Sequence, residues 1–116
     1  MDTFTLVRPE YLNHFGYLFG GQLLKWVDEL AWLFVTREYP DKMFVTRAMN
    51  NIDFKTKVKS GSILRFHIHV VKRGKSSLTC CVEVFAQYPG TKKEIFVFSN
   101  DVTFVNIDKN GHKSIL

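Results

Sequence analysis

The chain has 116 residues and a net charge of +5, with 46% hydrophobic and 15% aromatic residues. This length and composition predict one folded domain over residues 1–116 and exclude a disordered chain. No apolar run approaches the roughly 20 residues that a membrane-spanning helix needs, and residues 1–3 do not resemble the start of a signal peptide. We therefore expect no membrane span. The positive charge suits an anionic partner without identifying one.

The two cysteines, Cys80 and Cys81, are adjacent in the sequence. Adjacent side chains of a strand point to opposite faces, so these two cannot pair with each other in ordinary geometry. We expect reduced thiols and a cytoplasmic protein.

The hydrophobic pattern predicts one helix early in the chain. Residues 3–7 alternate like a short strand, and Pro9 ends that strand within a loop over residues 8–19. Residues 20–38 carry apolar side chains at helical spacing, until residues 39–42 break the pattern. The apolar arc consists of Leu23, Leu24, Val27, Leu30, Ala31, Phe34 and Val35.

The rest of the chain is typical of strands and tight turns. The predicted strands cover residues 43–54, 64–71, 78–84 and 94–105. A sheet curled around the helix is the simplest way to bury so wide an apolar face. The sequence therefore predicts an α+β fold in which a five-stranded antiparallel sheet wraps around one long central helix.

A glycine-rich loop runs directly into the helix. Gly20 and Gly21 leave backbone N–H groups at a helix N-terminus, where a ligand carbonyl can approach closely. Asp28 lies two turns further on, at the edge of the apolar arc. A partly desolvated carboxylate there is a candidate general base. The alternatives are that Asp28 is an ordinary surface aspartate and that Gly20 and Gly21 are present because the loop needs positive φ angles.

The order strand, helix, four strands resembles the hotdog fold, and the loop resembles that of the acyl-CoA thioesterases in the cytosolic acyl-CoA hydrolase group. The residues that carry this resemblance are Asn13, Gly16, the Phe-Gly-Gly of 19–21 and the Asp-Glu of 28–29. It continues in Val45-Thr46, in Asp53-Phe54 and in the turn of residues 71–77. Tyr17 stands where several relatives carry Asn or Asp.

The resemblance implies hydrolysis of an acyl-CoA thioester to the free acid and CoA, with no metal and no cofactor beyond the CoA of the substrate. Asp28 would activate water, or act as a nucleophile through a mixed anhydride. The N–H groups of Gly20 and Gly21 would polarise the thioester carbonyl. Asn13 would position the water or the loop, although a turn asparagine often satisfies its own backbone instead.

The resemblance also implies contacts to CoA. The basic turn offers charge and backbone N–H groups to the phosphates; its residues are Lys72, Arg73, Gly74, Lys75 and Ser76. Phe54 would line the acyl or pantetheine path. An ordinary basic hairpin and a core phenylalanine are the alternatives. Lys55, Lys57 and Lys59 share one face of an extended segment and could contact the nucleotide, although a solvated face is the more common role.

Histidines offer two further candidates. His14 lies beside the loop motif and could act as a base, although a solvated loop histidine is more common. His67 and His69 share one face of a strand, but no third ligand has matching spacing, so we predict no metal site.

We expect a homodimer or a larger assembly, a tetramer or hexamer, formed by sheet pairing with residues 94–105 as an open edge. The resemblance implies that Asp28 of one subunit works with Asn13 or Thr46 of another. The alternative functions are a dehydratase-type hotdog enzyme with a histidine-based dyad and a non-catalytic acyl-CoA binder. Nucleic-acid binding is not expected, because the aromatic residues fall mostly on core-facing positions.

Overall fold

The computed structural model describes all 116 residues. Its elements are β1 (Asp2–Leu6), a short 3₁₀ turn (Pro9–Tyr11), α1 (Gly20–Glu38), β2 (Phe44–Phe54), β3 (Ile63–Arg73), β4 (Ser77–Gln87) and β5 (Glu94–Asn106). The helix has the predicted bounds, and each predicted strand is present with ends that differ by at most three residues. The helix is not apolar enough over a sufficient length to cross a membrane.

The five strands form one open antiparallel sheet in the order β1-β3-β4-β5-β2. The prediction of an open edge at residues 94–105 is wrong, because β5 pairs with β4 on one side and with β2 on the other. The free edges belong to β1 and β2. Residue alternation shows which face of a strand is buried but not which strands are neighbours, so the edge could not be identified from the pattern.

One face of the sheet packs against α1. The helix buries Leu23, Val27, Ala31 and Val35, and Phe66, Phe98 and Phe104 lie fully buried among the strand residues of the same core. The other predicted arc residues, Leu24, Leu30 and Phe34, pack at the margin of this core. Hydrophobic burial on one face of the sheet is thus what fixes the position of the helix.

A hydrogen bond ties the middle of the helix to the edge strand β2. The indole Nε1 of Trp32 donates to the carbonyl of Phe44, at 2.9 Å. Because Asp28 precedes Trp32 by four residues, the two side chains share one face of the helix. Asp28 is therefore held over the beginning of β2.

Candidate functional site

An open cleft of about 460 Å³ lies at the N-terminal end of α1. Its walls come from the loop before the helix, from the first turn of the helix, and from the end of β2 with the segment after it. The predicted site residues Asn13, Gly20 and Phe54 line it, and Lys55 and Lys57 lie beside them. The cleft thus forms where three separate parts of the chain meet.

The helix start leaves two backbone donors free. Phe19 is the N-cap residue and provides no side-chain cap. Its carbonyl accepts hydrogen bonds from the N–H groups of Gln22 and Leu23, at 3.0 and 3.2 Å. The N–H groups of Gly20 and Gly21 have no partner in the chain. They can therefore donate to an oxygen atom of a ligand, and the positive end of the helix dipole favours negative charge there.

The two glycines at the helix start do not serve a left-handed backbone conformation. Neither Gly20 nor Gly21 has a positive φ, whereas Gly16 in the preceding loop has a φ of +86°. A Cβ on Gly21 would lie 2.8 Å from the ring of Phe19, and one on Gly20 would lie 3.4 Å from the ring of Phe54. The alternative that this pair needs positive φ angles is therefore wrong.

Phe54 forms one wall of the cleft instead of a core position. Its ring stacks edge-on against buried Phe98, with 4.9 Å between centroids, while 52% of the residue stays exposed. The ring lies over Gly20, where an added Cβ would be 3.4 Å away. An apolar surface this close to free N–H donors suits a ligand that combines a polar carbonyl with an apolar chain.

Asn13 shapes the loop. Its Oδ1 accepts hydrogen bonds from the N–H groups of Phe15 and Tyr17, at 2.9 and 3.2 Å. This is the turn role that the sequence analysis gave as the alternative. It leaves only the side-chain NH2 group of Asn13 to contact a ligand in the cleft. His14 is exposed and stacks on Phe15 with 4.0 Å between ring centroids.

The structure places at the cleft two lysines, Lys55 and Lys57, for which the sequence favoured a solvated face. The ammonium of Lys57 lies 5.0 Å from the centre of the Tyr17 ring, and Lys55 pairs with Asp53 at 2.6 Å. The loop reaches them because Leu18 donates to the carbonyl of Val58, at 2.8 Å. A backbone contact between segments forty residues apart has no signal in residue spacing.

Asp28 makes a short hydrogen bond to the edge strand. The Thr46 hydroxyl donates to Asp28 Oδ1 at 2.6 Å. Asp28 is half-buried and Thr46 is exposed. This contact lies within one chain, whereas the resemblance implied a contact between Asp28 and Thr46 of two subunits. The bond orients the carboxylate and leaves its Oδ2 free to bind water.

The carboxylate and the free N–H groups are far apart within one chain. Asp28 follows Gly20 by eight residues, which is a rise of about 12 Å along a helix. A base and an oxyanion donor that serve one carbonyl must each lie about 3 Å from the reacting atoms. One chain therefore contains both halves of such a site but does not bring them together.

The basic turn lies at the opposite end of the helix from the cleft. Arg73 donates to the Tyr39 hydroxyl at 3.1 Å and stacks over the same ring. The carbonyls of Lys75 and Ser76 accept hydrogen bonds from the backbone N–H groups of Leu116 and Asn106. A Cβ on Gly74 would lie 2.5 Å from Ser77 Oγ, so a larger residue there requires the serine side chain to rotate. The turn is well ordered by these contacts, yet it does not touch the cleft of its own chain.

Neither cysteine offers a nucleophile. Both are free, and burial raises the pKa of the Cys80 thiol to about 12. Burial is also the main cause that raises the pKa of Cys81. Since the thiolate is the reactive form, both side chains are inert near neutral pH.

The sequence model of the thioesterase superfamily matches residues 15–92. This range includes the end of the cleft loop from Phe15 onward, all of α1, the Thr46 position and the basic turn. The chain belongs to the thioesterase superfamily.

Three known proteins illustrate the similarity. An uncharacterized acyl-CoA thioester hydrolase of Bacillus subtilis is 28% identical over 105 residues, which cover 90% of this chain and 60% of that protein. A hexameric hotdog fold thioesterase of Campylobacter jejuni superposes with a TM-score of 0.87 at 29% identity, covering 98% of this chain and 87% of that one. The acyl-CoA hydrolase from Staphylococcus aureus, solved with butyryl-CoA, CoA and CoA disulfide, has a TM-score of 0.90 at 26% identity, covering 99% and 70%.

These comparisons confirm the predicted hotdog fold. The chain spans about 60% of the length of the Bacillus subtilis relative.

Proposed function

We propose that this chain hydrolyses acyl-CoA thioesters to the free carboxylic acid and CoA, at sites shared between two copies of the chain. The observation that carries the proposal is the cleft with two free N–H donors, together with a carboxylate that Thr46 holds beside the free edge strand β2. Relatives named as acyl-CoA hydrolases support the chemistry. The reducing cytoplasm is the proposed location, since both cysteines are free.

The N–H groups of Gly20 and Gly21 would bind the thioester oxygen. As water attacks the carbonyl carbon, negative charge develops on this oxygen, and donors fixed by the helix stabilise it without reorganising. Phe54 would hold the adjoining apolar part of the substrate against the cleft wall. The backbone thus supplies the electrophilic half of the site.

Asp28 would supply the other half as a general base. Its Oδ2 accepts a proton from water while the water oxygen bonds to the carbonyl carbon, and the carbon–sulfur bond then breaks. The proton returns to the departing CoA thiolate, so that the free acid and CoA thiol leave. The hydroxyl of Thr46 would keep the carboxylate in place through the 2.6 Å hydrogen bond.

Pairing of two β2 edges would bring the halves together. Met43, Val45, Ile52 and Phe54 leave this free edge unusually apolar and exposed, which is the kind of edge that pairs with another chain. Across a two-fold axis, two antiparallel β2 strands place the beginning of one beside the end of the other. Asp28 lies at the beginning of β2 and the cleft at its end. The Asp28 of one copy would then face the Gly20 cleft of the other.

Known assemblies and variants of the similar proteins support this arrangement. The Campylobacter jejuni thioesterase is hexameric. The Staphylococcus aureus hydrolase has been solved with an aspartate replaced by alanine and, separately, with a threonine replaced by alanine. We propose a homodimer as the smallest active unit and a hexamer as a larger assembly of such dimers.

The basic turn would bind the phosphates of CoA. We expect the Arg73→Ala/Lys75→Ala double variant to bind CoA about a hundredfold more weakly or worse, since two charged hydrogen bonds of about 1.5–3 kcal/mol each are lost. Calorimetry at low and high salt measures this, because screening should weaken the wild type more than the variant. The matched control is Lys109→Ala/Lys113→Ala, which removes two charges from the neighbouring C-terminal turn. Equal CoA affinity in all three proteins would place the nucleotide elsewhere.

The alternative chemistry of a hotdog dehydratase has less support in the structure. It would need a histidine-based dyad, and the one histidine of the motif loop is exposed and stacked on Phe15. No carboxylate hydrogen-bonds to it. The site therefore favours hydrolysis.

A panel of acyl-CoA thioesters of increasing chain length tests the proposed function. Thiol release is followed with a chromogenic thiol reagent, with free CoA binding measured on the same preparation. We expect turnover with at least one member of the panel. Tight CoA binding without cleavage of any thioester would favour the non-catalytic acyl-CoA binder instead.

A further inference from the structure

The face of the sheet turned away from α1 carries a compact group of metal-ligating side chains. His67 and His69 lie two residues apart on β3, and Glu83 lies directly opposite His67 on β4. One ligand atom from each side chain lies within 4.8 Å of the others. We propose that these three residues bind one divalent transition-metal ion, with Zn²⁺ as the best-suited ion.

The spacing of the three side chains fits such an ion. Ligand atoms about 2.0–2.2 Å from a tetrahedral Zn²⁺ lie roughly 3.3–3.6 Å from one another. The present spread of up to 4.8 Å requires small rotations of half-exposed side chains, which have room to make them. Three protein ligands leave the fourth position for water.

Asp2 supports one of the ligands from the neighbouring strand. Its Oδ1 lies 2.7 Å from Nδ1 of His67. When Nδ1–H donates to this carboxylate oxygen, the Nε2 lone pair of His67 is left for a metal ion. Metal-bound histidines usually have such a carboxylate partner.

His69 has a ring nitrogen that lacks a partner. Its Nδ1 is shielded from solvent and makes no hydrogen bond. A buried polar atom that has lost water without a replacement is costly. A bound cation would give the His69 ring a partner and fix its orientation and tautomer, which no hydrogen bond to Nδ1 does.

The local charge also favours a cation, although the whole chain is positive. The nearby Arg65 is engaged by Glu94 through two hydrogen bonds of 2.8 and 2.9 Å. Arg65 also lies 3.5 Å from Asp2, whereas Glu83, beside the histidines, forms no salt bridge. Two imidazoles and one carboxylate suit Zn²⁺, Co²⁺ or Ni²⁺, whereas Mg²⁺ and Ca²⁺ prefer oxygen ligands alone.

The prediction of no metal site rested on the absence of a third ligand at matching spacing. Glu83 supplies that ligand through strand register, which spacing along the sequence does not reveal. The site lies on the other face of the sheet from α1, so it is separate from the thioester chemistry proposed above. It would tie β3 to β4 and, through Asp2, to β1.

Titration of Zn²⁺ into untagged, chelator-treated protein tests the proposal. We expect one ion per chain by calorimetry, a higher melting temperature with Zn²⁺, and no comparable effect of Mg²⁺. Glu83→Gln and His69→Ala should each weaken Zn²⁺ binding at least tenfold, and Asp2→Asn should weaken it about 10–100-fold, as loss of a supporting carboxylate does elsewhere. His112→Ala removes an exposed histidine from the C-terminal turn and should bind as the wild type does.

Co²⁺ provides a second readout, because its visible absorption reports tetrahedral coordination by nitrogen and oxygen. Glu83→Gln preserves side-chain shape, so it remains informative even where His69→Ala fails to fold. Equal Zn²⁺ affinity in wild type and Glu83→Gln would overturn the proposal. So would loss of binding in His112→Ala. Thioester hydrolysis should be unchanged in Glu83→Gln, so this result is independent of the proposed enzyme activity.

Discussion

Asp28→Asn is expected to lower turnover of an acyl-CoA thioester by about 10²–10⁴, the usual contribution of a general base. Asparagine has the same shape and its carbonyl oxygen can still accept the Thr46 hydrogen bond, but it cannot take a proton from water. Steady-state kinetics should show the loss in kcat, while circular dichroism and melting temperature stay close to wild type.

Glu29→Gln is the matched control for this variant. It makes the same chemical change one residue further along, on the exposed side of the helix, and its turnover should stay within about twofold of wild type. A folded Asp28→Asn protein with near wild-type turnover would remove Asp28 from the mechanism.

Single-turnover hydrolysis in ¹⁸O-labelled water separates the two roles of Asp28, general base and nucleophile, since only a mixed anhydride transfers an aspartate oxygen to the product.

Gly20→Leu is the second variant with a large expected effect. Even a Cβ at Gly20 lies 3.4 Å from the Phe54 ring, so a leucine side chain would occupy the space above the free N–H groups. Losing one oxyanion donor costs about 10²–10³ in kcat, and we expect at least that loss here. The helix itself should not weaken, because leucine has a higher helix propensity than glycine.

Lys25→Leu adds the same side chain on the exposed face of the helix and controls for the added apolar surface. Turnover and melting temperature are measured for both variants. An active Gly20→Leu enzyme with an unchanged melting temperature would show that the thioester carbonyl does not bind at this helix start.

The secondary structure was largely predictable because burial leaves a period in the sequence. The helix bounds follow from apolar residues at helical spacing ending at Pro40, and β3 from the alternation of residues such as Phe66 and Ile68 with His67 and His69. The loop motif of Asn13, Gly20 and Gly21 identified the place where the cleft forms. These signals are local, so a single chain reveals them.

The remaining features depend on contacts between distant segments. The register that places Glu83 opposite His67 and the closure of the loop onto Val58 arise from tertiary packing. The same is true of the interior position of β5. The hydrogen bond from Thr46 to Asp28 depends on how α1 lies across β2. Spacing along the chain carries no information about such pairings. The separation of Asp28 from Gly20 is different, because eight residues of one helix give a rise of about 12 Å directly from the sequence.

The central claim is that each site combines Asp28 of one copy with the Gly20 cleft of another. Co-expression of Asp28→Asn and Gly20→Leu subunits, each inactive alone, tests this claim most directly. In dimers assembled at random, half are mixed and each mixed dimer has one intact site, so activity should return to about a quarter of wild type. Purified mixed dimers, selected with two different tags, that remain inactive would contradict the shared site.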